Sequence, residues 1–519
     1  METVVMTLLL DALDRTLREP RCAQRWHGLM AIWLESRDPS ARQSVLDVLD
    51  GPPNDDVSAD ILRLTFLAGA TGQSRFDDTA AVRVLAAEPT DPDRLAAFMA
   101  FRWLGALQNQ EQRSDFVATL KAGLVPQMAK RLMQSAVQVL PPGFSPRTTH
   151  EIRRAAVVVP YVGHQFHTPS MMAVHQCAVL AREGCQVHIF SAQELMPPDA
   201  SQFRGDGRDL VLPPLDTQAW ANILPKGVGM SISDSRYNLP GRWRNLMPLL
   251  AKFDPDVVLL VGLYSPLAAA LYTVRPMAGI SVNTVAPIAP LDVWLTADPD
   301  IEHREAWGEM FSPPQPVFHP YRVTRSSQQW RLTRTELELD ATTVIWITAG
   351  FRLEHEIKGD WANRMLRLLS RHPQVVWLLV GGEGKLPSAL SQAAPGRVRS
   401  LPTRNDVPAI LRCSDVYVNP PRMGGGFSVA EAMAEGLPVV AFADSDGGDK
   451  VGDLALPDMN AYLERLAALT ENPVLRHDMG DALRRRFVER IDLDASGAAL
   501  VAACQQAAEL AKMRLIELS

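Results

Sequence analysis

Apolar strands and amphipathic helices alternate between residues 343 and 443, and this order constrains the fold more than any other feature. Val344–Thr348, Val375–Val380 and Asp415–Pro420 predict strands, while Asp360–Ser370 and Val407–Cys413 predict helices. The strands are apolar at consecutive positions, which is typical of strands buried on both faces. The alternation therefore predicts an α/β fold with a doubly wound parallel sheet.

A glycine-rich turn follows the last of these strands. Gly424, Gly425 and Gly426 precede a predicted short helix that starts near Phe427. Glycines let backbone N–H groups approach an anion closely, and a helix N-terminus adds the positive end of its dipole. Glu431 follows within the first turns of this helix, where its carboxylate can accept two hydroxyl hydrogen bonds. The segment therefore predicts a site for the diphosphate and ribose of a nucleotide.

The same segment resembles the donor-binding signature of GT-B glycosyltransferases, above all glycosyltransferase family 4. The matching positions are Glu431-Ala432-Met433-Ala434, Gly436 and Pro438-Val439-Val440. The resemblance implies a GT-B architecture of two Rossmann-like domains and a nucleotide-sugar co-substrate, with UDP-sugars expected because they are the most frequent donors. It also implies that the donor contacts Gly424, Gly425, Gly426, Phe427, Ser428 and Glu431.

Two cations stand upstream at the spacing that family 4 enzymes use for the diphosphate. Arg352 comes just after the strand Val344–Thr348 and Gly350, and Lys358 follows six residues later. By resemblance, both cations stabilise charge on the departing nucleotide, and Arg404 lies in the loop that holds the base. Two solvated surface cations are the alternative interpretation of Arg352 and Lys358.

One position departs from the family pattern. Family 4 enzymes usually carry two glutamates separated by seven residues, and the first would fall where this chain has Met423. The departure leaves a retaining and an inverting outcome both open. A GT-B sugar-nucleotide epimerase and a non-catalytic scaffold partner of another glycosyltransferase stay as alternative functions.

The chain divides into four parts. Residues 1–150 show helical apolar spacing without long β-branched strands, which predicts an all-helical N-terminal domain. We expect a first Rossmann-like, acceptor-side domain over 151–335 and a second, donor-binding one over 336–490. The resemblance implies that the C-terminal helix, residues 491–519, packs back on the first Rossmann-like domain.

Histidines follow the first strand of the acceptor-side domain. His164 and His167 lie in the turn after Ala155–Pro160, at the edge expected to face the cleft between the domains. Either one would serve as a general base or orient an acceptor hydroxyl, and histidines bonded to turn backbone are an equal alternative. Asp292 and Asp298 are further base candidates under an inverting mechanism, and His175 is predicted to be a packing residue.

Composition and net charge argue against some functional classes of protein. The chain has 519 residues, 47% hydrophobic and 21% charged, with a net charge of −7, which argues against a general nucleic-acid binder. Five cysteines without a paired motif favour a reduced cytoplasmic protein with no metal site. Peripheral association with the inner membrane face is left open. The expected partners are a nucleotide sugar and an acceptor protein, glycan or lipid-linked sugar, with a homo-oligomer or a partner glycosyltransferase as further alternatives.

We expect Glu431→Ala and Lys358→Ala each to cut sugar-transfer turnover about 100-fold or more, because each removes one key contact to the donor. Steady-state turnover with saturating acceptor measures the effect. Full activity in both variants would contradict the predicted donor site.

Overall fold

The computed structural model describes residues 2–149, 151–165, 167–195, 199–210, 215–280, 282, 285–297, 307–325 and 331–517. Within them the chain begins with eight helices. Aspartates cap several of these helices: the Asp38, Asp56 and Asp91 side chains accept hydrogen bonds from backbone N–H groups of α3, α4 and α6. The prediction of a helical N-terminal region is confirmed. The helices are α1 (Glu2–Arg18), α2 (Ala23–Glu35), α3 (Pro39–Leu49), α4 (Val57–Thr71), α5 (Ser74–Ala86), α6 (Pro92–Asn109), α7 (Arg113–Ala122) and α8 (Val125–Val137).

A parallel sheet of seven strands follows, with the order β3-β2-β1-β4-β5-β6-β7. Its strands are β1 (Arg154–Val158), β2 (Gln186–Ser191), β3 (Gly229–Ile232), β4 (Val257–Val261), β5 (Met277–Ile280), β6 (Val293–Thr296) and β7 (Gln315–Phe318). The helices between them are α9 (Thr168–Arg182), α10 (Thr217–Ile223), α11 (Leu239–Phe253) and α12 (Pro266–Leu271).

A second parallel sheet has five strands in the order β10-β9-β8-β11-β12, so both sheets share one winding pattern. Its strands are β8 (Val344–Ala349), β9 (Val375–Val380), β10 (Val398–Leu401), β11 (Val416–Val418) and β12 (Val439–Val440). Its helices are α13 (Leu353–Glu356), α14 (Gly359–Arg371), α15 (Val407–Cys413), α16 (Gly426–Ala434), α17 (Asp446–Val451), α18 (Met459–Glu471) and α19 (Pro473–Arg490). The predicted α/β fold with two doubly wound sheets is confirmed.

Alternate residues of β1 explain how the first sheet is covered. Ala156 and Val158 belong to one hydrophobic core, which continues through α11 and α12 into the N-terminal helices. Ala155 and Val157 belong to the opposite core, which α9 covers. Because successive side chains point to opposite faces, a consecutively apolar strand buries both.

The segment Val257–Val274 is long and apolar enough to raise the question of a membrane span. It forms β4, a turn and α12, and the Ser265 side chain caps α12 by accepting a hydrogen bond from the N–H of Ala268. Among the described residues, none of the helices combines the length and apolarity needed to cross a bilayer.

The last helix, α20 (Gly497–Glu517), packs on the first sheet, where Leu500, Cys504 and Ala507 enter the core on the α9 side. Near its end, Arg514 forms an ion pair of 2.8 Å with Asp292 and lies over the Tyr272 ring. The buried Asp292 carboxylate also accepts a hydrogen bond from the N–H of Met277.

These contacts correct one sequence-based expectation. Asp292 precedes β6, so it lies at the edge of the sheet opposite the strands' carboxyl ends, and its charge is neutralised by Arg514. It is therefore not a base candidate. Asp298 lies outside the described residues.

We expect Arg514→Met to lower the free energy of unfolding by about 3 kcal/mol, because it leaves the Asp292 carboxylate buried without its cation. The matched control is Arg18→Met, which breaks an ion pair of 2.7 Å between exposed side chains and should cost less than about 0.5 kcal/mol. Urea unfolding of both variants measures the difference. Equal losses would contradict a structural role for the buried pair.

Candidate active site

The glycine turn and Gly350 lie at the point where the order of the second sheet reverses. β8 and β11 are neighbours, yet β9 follows β8 on the other side. Gly350 comes directly after β8, and the turn Gly424–Gly426 follows β11. Open α/β sheets bind ligands in the crevice at the carboxyl ends of such strands. The second sheet therefore brings these two sequence-predicted segments together.

Local geometry requires glycine in the turn. Gly424 and Gly425 have φ values of 95° and 80°, and α16 begins at the next residue, Gly426. A Cβ atom on Gly425 would lie 2.2 Å from Nε of Arg422, and one on Gly424 would lie 2.9 Å from Nη2 of Arg352. The turn therefore packs its backbone directly on two guanidinium groups, and the first N–H groups of α16 have no partner within the helix.

A buried carboxylate joins those two guanidiniums. Nη1 of Arg422 lies 2.6 Å from Oε2 of Glu356, and Nη2 of Arg352 lies 2.8 Å from Oε1. Burial would raise the pKa of Glu356, but the positive charges of Arg422 and Arg352 outweigh it and hold the pKa below its ordinary value. Arg352 also donates to the carbonyl of Met423 at 2.8 Å. The network fixes Arg352 against the turn.

Glu431 lies partly buried on α16, one and a half turns from its start. Burial, followed by the negative charge of Glu435, raises the pKa of Glu431 to about 7. Glu435 itself is paired with Arg412, whereas Glu431 makes no hydrogen bond or ion pair within the part of the chain that the structure describes. Its carboxylate is thus a hydrogen-bond acceptor to which none of the described residues donates.

Other residues predicted to bind the nucleotide sugar are held by contacts within the protein. The Ser428 hydroxyl donates to the carbonyl of Gly425 at 3.0 Å and accepts from the Tyr417 hydroxyl at 2.8 Å, so it ties the turn to β11. A Cβ atom on Gly350 would lie 2.7 Å from Nη1 of Arg422. Gly350 therefore leaves room for the buried guanidinium.

Two sequence-predicted cations are engaged elsewhere. Lys358 donates through Nζ to the carbonyl of Gln108, at 3.3 Å, near the C-terminus of α6. Arg404 forms a two-point ion pair with Asp406, with N···O distances of 2.7 and 2.6 Å. Of the predicted cations, only Arg352 is thus in contact with the glycine turn.

Two histidines of the first Rossmann-like domain, His164 and His175, contact aromatic rings of the second domain. The rings of His164 and Phe351 are 5.7 Å apart, and the ring of His175 stacks on that of Phe427 at 6.5 Å. Burial and the nearby His164 lower the pKa of His167 to about 3, and its Nδ1 lies 2.6 Å from the Ser170 hydroxyl. His175, predicted as a packing residue, therefore contacts Phe427 at the start of α16.

Sequence reasoning missed Arg422 and Glu356. Arg422 stands within the glycine-rich segment itself, three residues before Gly425, and Glu356 follows Arg352 by four positions. An Arg–Glu pair at that spacing is a signal for contact on one helical face. No local pattern indicates that Arg422 joins them, because that contact spans 66 residues of the chain.

We expect Gly425→Ala to abolish nucleotide binding, because the added methyl group displaces the Arg422 guanidinium and distorts the turn. Gly396→Ala is the matched control, since Gly396 has φ 78° and open space around its Cβ position. The control should cost only about 1 kcal/mol of backbone strain and bind nucleotide normally. Calorimetric titration with UDP compares the two, and equal affinities would contradict this account of the turn.

Residues 344–472 match the family described as Glycosyl transferases group 1. An uncharacterized glycosyltransferase of Methanosarcina acetivorans is 24% identical over 277 residues, which cover 47% of this chain and 70% of the relative. Both similarities concern sequence, and the first falls on the second sheet and its helices.

A solved structure that covers nearly the whole chain gives its fold. A mutant of the Thermobaculum terrenum O-GlcNAc transferase superimposes with a TM-score of 0.53 at 14% identity, covering 98% of this chain and 99% of that one. A glycosyltransferase of Rickettsia africae gives a TM-score of 0.48 at 10% identity over 67% of this chain and 96% of its own. The chain is therefore a glycosyltransferase of GT-B fold, and its second Rossmann-like domain is a glycosyl transferases group 1 domain.

Proposed function

We propose that the protein transfers a sugar from a UDP-sugar to an acceptor hydroxyl or amide without a metal ion. The unpartnered Glu431 carboxylate on the helix that follows the glycine turn carries this proposal. A carboxylate at this position is suited to two hydroxyl donors of a ribose. The turn at the start of the same helix is suited to the attached diphosphate.

The leaving diphosphate would be stabilised by three kinds of positive charge. The free N–H groups of Gly426, Phe427 and Ser428 provide the helix-end contribution. Arg352, held by Glu356 at the turn, supplies a full charge. Lys358 adds another if its ammonium group exchanges the Gln108 carbonyl for a phosphate oxygen. Charge stabilisation of this kind lowers the barrier for departure of the nucleotide.

His167 is suited to orienting an acceptor hydroxyl. With its pKa lowered to about 3 by burial and by His164, its imidazole is neutral at pH 7. Ser170 engages Nδ1, which leaves Nε2 for the acceptor. Such a weakly basic imidazole is better suited to positioning the acceptor hydroxyl than to removing the hydroxyl proton. The more exposed His164 is the second candidate for contact with the acceptor.

The sugar and the compartment belong to the same proposal. The fold relative from Thermobaculum terrenum is called an O-GlcNAc transferase, so UDP-GlcNAc is the first donor to test. The acceptor classes are a polypeptide, a glycan and a lipid-linked sugar. We place the reaction in the cytoplasm, because the five cysteines are all free thiols.

Calorimetric titration with uridine, guanosine and adenosine diphosphates tests the donor site. We expect micromolar binding of UDP that is lost in Glu431→Ala. UDP-GlcNAc is then incubated with each acceptor class, with and without EDTA, and transfer should continue with EDTA present. An isomerised sugar nucleotide formed without acceptor would show an epimerase instead. Binding without turnover, with activity gained on mixing with a partner transferase, would show a scaffold subunit.

The affinity for UDP should also depend on pH through Glu431. With its pKa near 7, the carboxylate is mostly ionised at pH 8, and only about a tenth is ionised at pH 6. Because the ionised form accepts both ribose hydroxyls, affinity should fall by up to about tenfold between pH 8 and pH 6. Glu431→Gln should remove this component and leave only the titration of the UDP phosphate. An identical pH profile in both proteins would exclude Glu431 from the ribose site.

A further inference from the structure

A cavity of about 580 Å³ lies between the two Rossmann-like domains, and none of the glycine-turn residues line it. The first domain contributes Ala297, Phe318 and Pro320, which lie at or just beyond the carboxyl ends of β6 and β7. The second domain contributes parts of α17 and α19. The residues that line this cavity include none of those proposed above to bind the nucleotide sugar. Its volume is in the usual range for small-molecule sites.

A buried lysine lines this cavity. Lys450 on α17 is 7% exposed, and within the described ranges its side chain makes no ion pair and no hydrogen bond. Its neighbour Asp449 is taken by Arg113 of α7, whose Nη2 lies 2.7 Å from both carboxylate oxygens. Arg322, a nearby cation, donates to backbone carbonyls and lies within hydrogen-bond distance of Nδ1 of His319, so it has no carboxylate partner among the described residues. Buried charges are normally paired. Asp446 and Asp449 of α17 both attract the Lys450 ammonium group, yet neither forms an ion pair with it in the described part of the chain.

A second cation is built into the wall beside it. The guanidinium of Arg486 donates to the carbonyls of Lys450 and Asp449, at 2.6 and 3.3 Å. Gly452, at φ 67°, makes this possible, because a Cβ atom there would lie 2.4 Å from Cζ of Arg486. Backbone carbonyls hold this guanidinium without neutralising it, and no carboxylate pairs with it in the described part of the chain.

The charge of the lining fits an anion. Arg485 and Arg490 add exposed cations at the rim, so four cations face three carboxylates, of which Asp449 is already neutralised by Arg113. Guanidinium forks and ammonium groups are the groups with which proteins recognise phosphate. A phosphate group next to Lys450 would supply the missing counter-charge.

We propose that this cavity is a second anion-binding site, in which Lys450 and Arg486 hold the phosphate group of a small phosphorylated ligand between the two Rossmann-like domains. Such a ligand would contact elements of both domains at once. It would also stabilise α17, whose first residue, Asp446, packs on the glycine turn. A Cβ atom on Gly426 would lie 3.0 Å from the carbonyl oxygen of Asp446.

Inorganic phosphate is the probe, and its binding is measured by calorimetry and by the midpoint of thermal unfolding. The parent protein and each variant compared with it carry Arg352→Gln, which weakens anion binding at the glycine turn. Lys450→Met should reduce phosphate affinity by about tenfold or more, the usual effect of losing one charged hydrogen bond. Lys385→Met, which removes an exposed lysine paired with Glu383, should leave phosphate affinity unchanged. Acetate in place of phosphate distinguishes a carboxylate site from a phosphate site.

Stability without phosphate separates a ligand contact from a structural one. Methionine is similar in volume and uncharged, so Lys450→Met should unfold at the same or a higher temperature than its parent in phosphate-free buffer. A marked loss of stability there, or an unchanged response to phosphate, would overturn the proposal. So would a stronger response to acetate than to phosphate.

The pH dependence gives an independent readout. Burial, then the positive charge of Arg322, lowers the pKa of Lys450 to about 8, with Asp449 and Asp446 opposing and Arg113 adding to the effect. Phosphate binding should therefore weaken between pH 7.5 and 9, a range in which ordinary lysines and the arginines stay charged. The weakening should be absent in Lys450→Met, and its persistence there would assign it to another group.

Discussion

Two guanidinium groups share one buried carboxylate beneath the glycine turn, and the candidate donor site depends on this arrangement. Glu356 neutralises only one of the two charges on Arg352 and Arg422. The excess positive charge lies against the backbone that precedes α16, where the helix end adds its own partial charge. Three separate segments, α13, β11 with its turn, and α16, are therefore held around a single region of positive potential. A buried charge network thus forms that region.

The contacts across the cleft explain the departure at position 423. Met423 is fully buried, and its core is the one shared by the N-terminal helices and the first sheet, although its own segment belongs to the second domain. A glutamate at this position would be buried among apolar side chains at a high desolvation cost. The same turn places Phe427 on His175 of the first domain. The turn is thus an interdomain contact as well as part of the candidate donor site.

Local patterns were sufficient to predict the second parallel sheet and the position of the glycine turn, whereas the family resemblance implied the first Rossmann-like domain. Consecutive apolar residues predict β8, β9 and β11. Partners distant in sequence could not be predicted, because nothing near Lys358 indicates the carbonyl of Gln108 and nothing near Asp292 indicates Arg514. Arg422 stayed unnoticed because most arginines are solvated, and only tertiary packing distinguishes a buried one.

The hydrophobic core that runs from the N-terminal helices through α11 and α12 to the first sheet has a consequence for how the chain is organised. α8 packs on α12, and Trp243 and Met247 of α11 belong to the same core as Leu132 of α8. The helical region is therefore an additional layer of the first domain, not a module joined by a linker. Removing it would expose apolar helix surface to water, so the two regions are expected to fold and unfold as one cooperative unit.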